Sequence, residues 1–178
     1  MRPGGGKAKG AAFERKVCQE LSRWVSRGKA DDLFWRSAMS GGRATVARKK
    51  DKKLVRQAGD ITATAPEGAA LTDTFYLECK FLKDLAFDSF ALRGIGILAA
   101  IWRVATVEAE AHGRVPFLIA KQNNMPTIAV MPFNLIFAKY AWSRSPIICS
   151  VMNPNVSVLD FEAMMACRFQ PIAKDQLL

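Results

Sequence analysis

Histidine is nearly missing from this chain, and closely paired cysteines are missing altogether. Among 178 residues there is one histidine, His112, and there are four cysteines, Cys18, Cys79, Cys149 and Cys167, none in a C-x-x-C spacing. The sequence therefore offers no Cys/His zinc site, and it argues against catalysis built on several histidines. His112 falls near the end of an expected helix, where capping is its expected role. Long uncharged apolar runs are lacking too. The most apolar helical segment, residues 90–107, is interrupted by Arg93 and Arg103, so it reads as a core helix and not as a membrane span. The opening MRPGGGKAKG has no apolar segment of the kind a signal peptide needs. Together with unpaired cysteines, this fits a reducing cytoplasm, a host's if the source is viral, and no membrane partner.

What is present in excess is positive charge, and it is unevenly placed. The chain carries 26 Lys and Arg against 16 Asp and Glu, a formal charge of +10; the first 58 residues hold 16 of the basic side chains and only 5 of the acidic ones. Such a distribution points to a polyanionic partner, nucleic acid before membrane. The plain alternative is a solvated basic surface that aids solubility. Half of the residues are hydrophobic, enough for one substantial core without disulfides, and the length suits a single domain.

Residues 1–9 are rich in glycine and lysine and are expected to be a flexible basic N-terminus, with one domain over residues 10–178. From residue 11 to about 27, Phe13, Val17, Leu21, Trp24 and Val25 recur at helical spacing, and Gly28 is a plausible stop. Glu14 projects between the directions of Leu21 and Val25, on the inward side of that helix. It is either a helix-start charge or an inward-pointing ligand. Residues 33–37 read as a short strand, followed by a Ser-Gly-Gly turn at 40–42 and a basic run at 47–57, expected to be a loop or an exposed helix. Residues 59–64 read as a second strand, 65–70 as a turn and 74–82 as a third strand. A long apolar helix is expected over 89–111, strands over 115–121 and 127–131, a short apolar run (a further strand is one reading) at 145–151, and a last helix over about 159–169. The order α-β-β-β-α-β with additions indicates an α/β domain with a mixed central sheet flanked by helices.

The third strand, FYLECKFL, poses the chemical question. Side chains alternate along a strand, so Phe75, Leu77, Cys79 and Phe81 share an apolar face while Tyr76, Glu78 and Lys80 share the other. Asp60 would lie beside Glu78 and Lys80 if residues 59–64 and 74–82 paired as a hairpin. Carboxylates beside a lysine suit a hard divalent cation such as Mg²⁺ bridging to phosphate oxygens, which can activate water for phosphodiester hydrolysis. On the strand pattern alone, an exposed or salt-bridged Glu/Lys pair is the better reading.

The combination of segments changes that balance. Gly59-Asp60 followed after a turn by Glu78-Cys79-Lys80 resembles the PD-(D/E)XK nuclease superfamily, with Gly59 in place of the proline. KGAAFERKVCQEL, residues 9–21, is similar to the opening helix of archaeal-type Holliday junction resolvases, whose K-G-x-x-x-E-R pattern carries a metal-site glutamate, here Glu14. FWRSAMSGG, residues 34–42, is similar to the strand and Ser/Gly loop that follow it there. The resemblance implies a restriction-endonuclease-like fold and a metal-dependent endonuclease cutting branched DNA, most plausibly four-way junctions. Other readings stay open: a restriction, repair or exonucleolytic enzyme on the same fold, or a non-catalytic DNA-binding protein. It further implies that Asp60, Glu78 and the Cys79 main-chain carbonyl bind Mg²⁺ or Mn²⁺, with Glu14 completing the site directly or through water. Lys80 would position the attacking water and stabilise the transition state. Arg36, Ser37, Ser40 and Arg43 are implied contacts to the DNA backbone, and Arg48, Lys49, Lys50, Lys52 and Lys53 weaker ones. The Cys79 thiol is expected to be a small buried apolar group and not a nucleophile. A homodimer is implied by symmetric cutting, with the helix over 89–111 or the C-terminal Met/Phe-rich segment as its surface; ordinary core packing is the alternative for both.

Overall fold

The computed structural model describes residues 5–37, 58–133 and 146–169. The turn at 40–42, the basic run at 47–57 and the DNA-contact candidates Ser40, Arg43, Arg48, Lys49, Lys50, Lys52 and Lys53 lie outside the described residues. A five-stranded mixed sheet forms the centre, in the order β3 (Phe75–Leu82), β4 (Val115–Gln122), β5 (Thr127–Pro132), β7 (Val156–Asp160), β6 (Ile147–Val151). β3 and β4 are parallel because two helices, α3 (Phe87–Arg93) and α4 (Ile97–Ala111), carry the chain from one to the other. The remaining pairings are antiparallel, and β4 reverses into β5 across the Asn123-Asn124 turn. A separate two-stranded ribbon pairs β1 (Phe34–Arg36) with β2 (Ile61–Ala63).

Period-two alternation divides the core into two layers. Leu77, Cys79, Phe117, Ile119 and Leu159 point to one face, where they meet Phe13, Val17, Leu21 and Trp24 of α1 (Gly5–Ser26) and Phe161 and Met164 of α5 (Phe161–Ala166). Leu118, Ala120, Val130 and Val158 point to the other, against Phe90 of α3 and Leu98 and Trp102 of α4. The interior strands are buried on both faces, which is why β4 reads as an almost unbroken apolar run. The mixed α/β architecture matches the restriction-endonuclease-like expectation. Among the described residues, no single helix is long and apolar enough to cross a membrane.

Several boundaries differ from the sequence reading, each for a physical reason. Residues 5–9 are not part of a flexible terminus but the first turns of α1. Lys9 holds them down, its ammonium 3.6 Å from the centre of the Phe81 ring and hydrogen-bonded to Asn123 across the sheet end. The expected turn over 65–70 falls instead within α2 (Pro66–Thr74), with Pro66 in the first turn, where its missing N–H costs nothing, and Glu67 at the favourable end of the dipole. Gly68, which suggested the turn, is there for packing: a Cβ would sit 2.9 Å from the Phe34 ring. The expected helix over 89–111 is broken into α3 and α4, bent by 72°. Gly94 and Gly96 both take left-handed or extended positive φ at the break, and a Cβ on Gly94 would lie 1.6 Å from the Asn153 carbonyl oxygen. The last helix is shorter than expected because residues 156–160 are spent on β7, and Asp160 caps α5 by accepting from the Ala163 N–H.

Candidate active site

Among the described residues β3 is an edge strand, and no other strand pairs with its free side. The hairpin expected between 59–64 and 74–82 does not form, because β2 is taken up by β1. The chain nevertheless brings Asp60 to that edge with three backbone-directed hydrogen bonds. Its N–H donates to the Leu77 carbonyl (2.8 Å), its own carbonyl accepts from the Ser37 N–H (2.7 Å), and its Oδ2 accepts from the Cys79 N–H (2.9 Å). The approach is close enough to require a glycine before it. Gly59 has φ +83°, and a Cβ there would stand 2.5 Å from the Leu77 carbonyl oxygen.

Glu78 and Lys80 follow on the strand itself, half-buried, and the Lys80 ammonium donates to Glu78 Oε1. A second ion pair flanks the site from the α1 side, where Arg36 Nε donates to Glu14 Oε2 at 2.8 Å. The Glu14 carboxylate is thus held by a residue from β1, 22 positions later. Arg36, read from sequence as a DNA contact, is placed by the structure as the partner of Glu14. Ser37 is buried, and its N–H is used to fix Asp60. Neither contact has a local signal in the sequence, since both depend on how the β1–β2 ribbon folds back on α1.

The electrostatics are those of a site short of positive charge. Burial, and then the neighbouring charge of Glu78, push the Asp60 carboxyl up to about 7; the Cys79 N–H and Lys80 oppose this and Glu14 adds to it. Burial pulls the Lys80 ammonium down, but the charge of Glu78, its hydrogen bond and the charge of Asp60 outweigh it, and the net shift is upward. Burial drives the Cys79 thiol well above its ordinary range, followed by the charges of Asp60 and Glu78, so the thiol is an inert member of the core. Cys18, behind Glu14, is pushed up to about 12 by burial and by that carboxylate.

The donor set suits a hard cation. Asp60 and Glu78 supply carboxylate oxygens. The Cys79 carbonyl is directed to the same free edge as its N–H, because a strand residue points both groups to one side. Among the described residues, no three Asp, Glu, His or Cys side chains gather as a metal cage. Two carboxylates and a main-chain oxygen match an ion that keeps several of its waters. Burial first and the repulsion of Glu78 next raise the Asp60 carboxyl, and the second is the kind a divalent cation would relieve.

A family model described as phage putative PDDEXK endonuclease matches residues 5–173. The chain belongs to this family. The match runs from the start of α1 past the end of α5, so it takes in the whole sheet and every residue of the site just described. No curated protein and no solved structure matches the chain. Membership identifies the fold as PD-(D/E)XK and the activity class as nuclease, with DNA as substrate. Asp60, Glu78 and Lys80, which carry the resemblance to that pattern in the sequence, lie within the matched residues. Gly59 replaces the proline because the edge of β3 leaves room only for a residue without a side chain.

Proposed function

We propose that this PD-(D/E)XK endonuclease is a divalent-metal-dependent enzyme that cuts branched DNA, with four-way junctions as its preferred substrate and a homodimer as its working form. The observation that carries the catalytic reading is Asp60 locked to the edge of β3 by Leu77 and Cys79, alongside the Glu78–Lys80 pair. The junction reading is supported by α1, whose K-G-x-x-x-E-R segment brings Glu14 to the same site. Symmetric resolution of a junction needs two such sites, hence two subunits.

Asp60, Glu78 and the Cys79 carbonyl would hold Mg²⁺ or Mn²⁺, with Glu14 contributing directly or through water. When bound, the metal would supply charge neutralisation at the phosphate and a water more readily ionised than bulk water. The remaining work falls to the chain. Lys80, kept protonated by Glu78, donates to the attacking water and to the negative charge that develops on the phosphate oxygens. Its raised pKa makes it a poor general base at neutral pH, so its role is orientation and charge stabilisation. Arg36 fixes the Glu14 carboxylate. Ser40 and Arg43, then Arg48, Lys49, Lys50, Lys52 and Lys53, are the proposed DNA-backbone contacts, which makes binding steeply salt-dependent and largely indifferent to base sequence. Ser37, buried with its N–H on Asp60, is not one of them.

Incubation with Mg²⁺ on a synthetic four-way junction, a duplex, a flap and a single strand tests the proposal, with Asp60→Asn and Lys80→Ala run alongside. Preferred cutting of the junction, lost in both variants, is the expected result. Equal cutting of junction and duplex would remove the junction assignment, and undiminished activity in both variants would remove the site.

A further inference from the structure

Five of the nine large hydrophobic side chains exposed among the described residues fall in one stretch of 16 positions. They are Leu92 (83% exposed), Ile95 (53%), Ile97 (49%), Val104 (63%) and Val107 (57%). Exposed apolar residues on a monomer are ordinarily scattered, and a contiguous group marks a contact surface. On α4 the group is a stripe. Ile97, Ala100, Val104, Val107 and Ala111 recur every three or four residues on the side opposite Leu98, Trp102, Ala105 and Ala109, which pack on the sheet. The sequence reading weighed core packing against a contact surface for this helix. In the structure one side of it does the first and the other side is left uncovered by the described residues. Leu92 and Ile95 are exposed next to the bend, which is seated on Asn153.

We propose that this face of α4 is the contact between two copies of the chain, packed as an antiparallel helix pair about a twofold axis between Val104 and Val107. The charges flanking the stripe select that occupant. At about 100° per residue, Arg103 and Glu110 lie on the same flank, seven residues apart and so two turns along the helix. Both are exposed, and no ion pair to either is found among the described residues. In an antiparallel pair like flanks face each other with sequence direction reversed. With Val104 set against Val107 of the other copy, Arg103 of each copy comes opposite Glu110 of the other, giving two symmetric ion pairs. A parallel pairing would set this flank against the opposite one, and Arg103 would not meet Glu110. The small side chains Ala100 and Ala111 let the helices approach closely at either end of the contact. A lipid surface would gain nothing from Glu110, and the mixed signs of the flank give an anionic membrane no preferred grip. The inference deepens the two-subunit part of the proposed function and rests on it only there, since mass and cleavage are measured separately.

The test is the mass of the full chain in solution, by light scattering and sedimentation across a wide concentration range. The expected mass is twice the 19.6 kDa of one chain. Val104→Asp, at an exposed position, should raise the dimer dissociation constant by roughly 100-fold while leaving the circular dichroism spectrum unchanged. Arg103→Glu or Glu110→Arg alone should each raise it by about tenfold, and the two together should restore it to within about threefold of the original. A chain monomeric at every concentration, with or without vesicles or added proteins, overturns the proposal. So does a dimer indifferent to Val104→Asp. Failure of the double reversal to restore the dimer overturns the antiparallel pairing. Val104→Asp that cuts a single-stranded or flap substrate at the normal rate, but no longer makes paired cuts in a junction, supports both the face and the proposed function.

Discussion

Among the described residues the two edges of the sheet are both unpaired by a further strand, and the chain treats them in opposite ways. At the β6 edge the strand is short, Pro146 precedes it, and a register irregularity between Ile147 and Cys149 disturbs the pairing with β7. Those are the ordinary devices by which an edge avoids pairing with another chain. At the β3 edge the eight-residue strand is regular along its length, and its exposed backbone groups are put to use. Leu77 and Cys79 give a carbonyl and an N–H to Asp60, so the edge that would be an aggregation liability becomes the frame of a site. One edge is blunted by irregularity and the other by chemistry. The difference teaches that the regularity of β3 is needed to set carboxylate positions.

The comparison breaks most severely where the β3 edge loses its charge. Asp60→Asn or Lys80→Ala should each reduce DNA cleavage by about 10³-fold or more, measured as single-turnover rates under Mg²⁺. The frame should be nearly as sensitive as the groups it holds. Gly59→Ala puts a Cβ within 2.5 Å of the Leu77 carbonyl oxygen and forces an L side chain into φ +83°. It should cost about 1–3 kcal/mol of stability and at least 10²-fold in rate, since a small displacement of a reacting group carries a penalty of that order. Urea unfolding alongside the cleavage assay checks both. Restoration of the rate by added Mn²⁺, without restoration of stability, would show that Gly59 acts by placing Asp60.

How much of this was legible in the sequence follows from the range of each interaction. FYLECKFL declared its strand, its two faces and its Glu78–Lys80 pair, because period two is a local property. Helix α1 declared its buried face for the same reason. Asp60 was legible only through its spacing to Glu78 and Lys80, and the geometry inferred for it, a hairpin, was not the one used. The β1–β2 ribbon intervenes, and nothing near Ile61 in the chain announces that its partner is Phe34–Arg36 and not β3. The Glu14–Arg36 pair was hidden by the same fold-back. Gly94 and Gly96 were visible inside an apolar helical run, yet a break there is decided by the Asn153 carbonyl pressed against Gly94, a contact some 60 residues away. Lys9 looked like part of a loose basic end because its partners, Phe81 and Asn123, come from two different strand ends.

A smaller effect, in stability alone, comes from the proton on Asp60. Its carboxyl is raised from 3.8 to about 7 in the folded chain, by burial first and by Glu78 next. The folded chain therefore keeps a proton that the unfolded chain has already released. Its contribution to stability is full below about pH 4, is lost as pH rises to about 7 and is level beyond that. Metal-free protein should show this decline in a thermal scan, and Asp60→Asn should remove it, with a melting temperature above that of the parent at pH 8. Excess Mg²⁺ at pH 8 should reverse the order by stabilising the parent and not the variant. A parent whose decline across that window is unchanged by Asp60→Asn would mean that the carboxyl is not crowded as described.

The mildest change belongs at the opposite edge, and it sharpens the comparison by its smallness. Ile148 is 47% exposed on β6, outside both core layers. Ile148→Lys should alter stability by no more than about 0.5 kcal/mol and cleavage not at all, while lowering turbidity on heating, since a lysine discourages edge-to-edge pairing. The same substitution has no harmless counterpart on β3. At the Glu78 position a lysine would face Lys80 with like charge and leave Asp60 without its neighbour, so one chemical change separates an edge that only needs protecting from an edge that holds the chemistry.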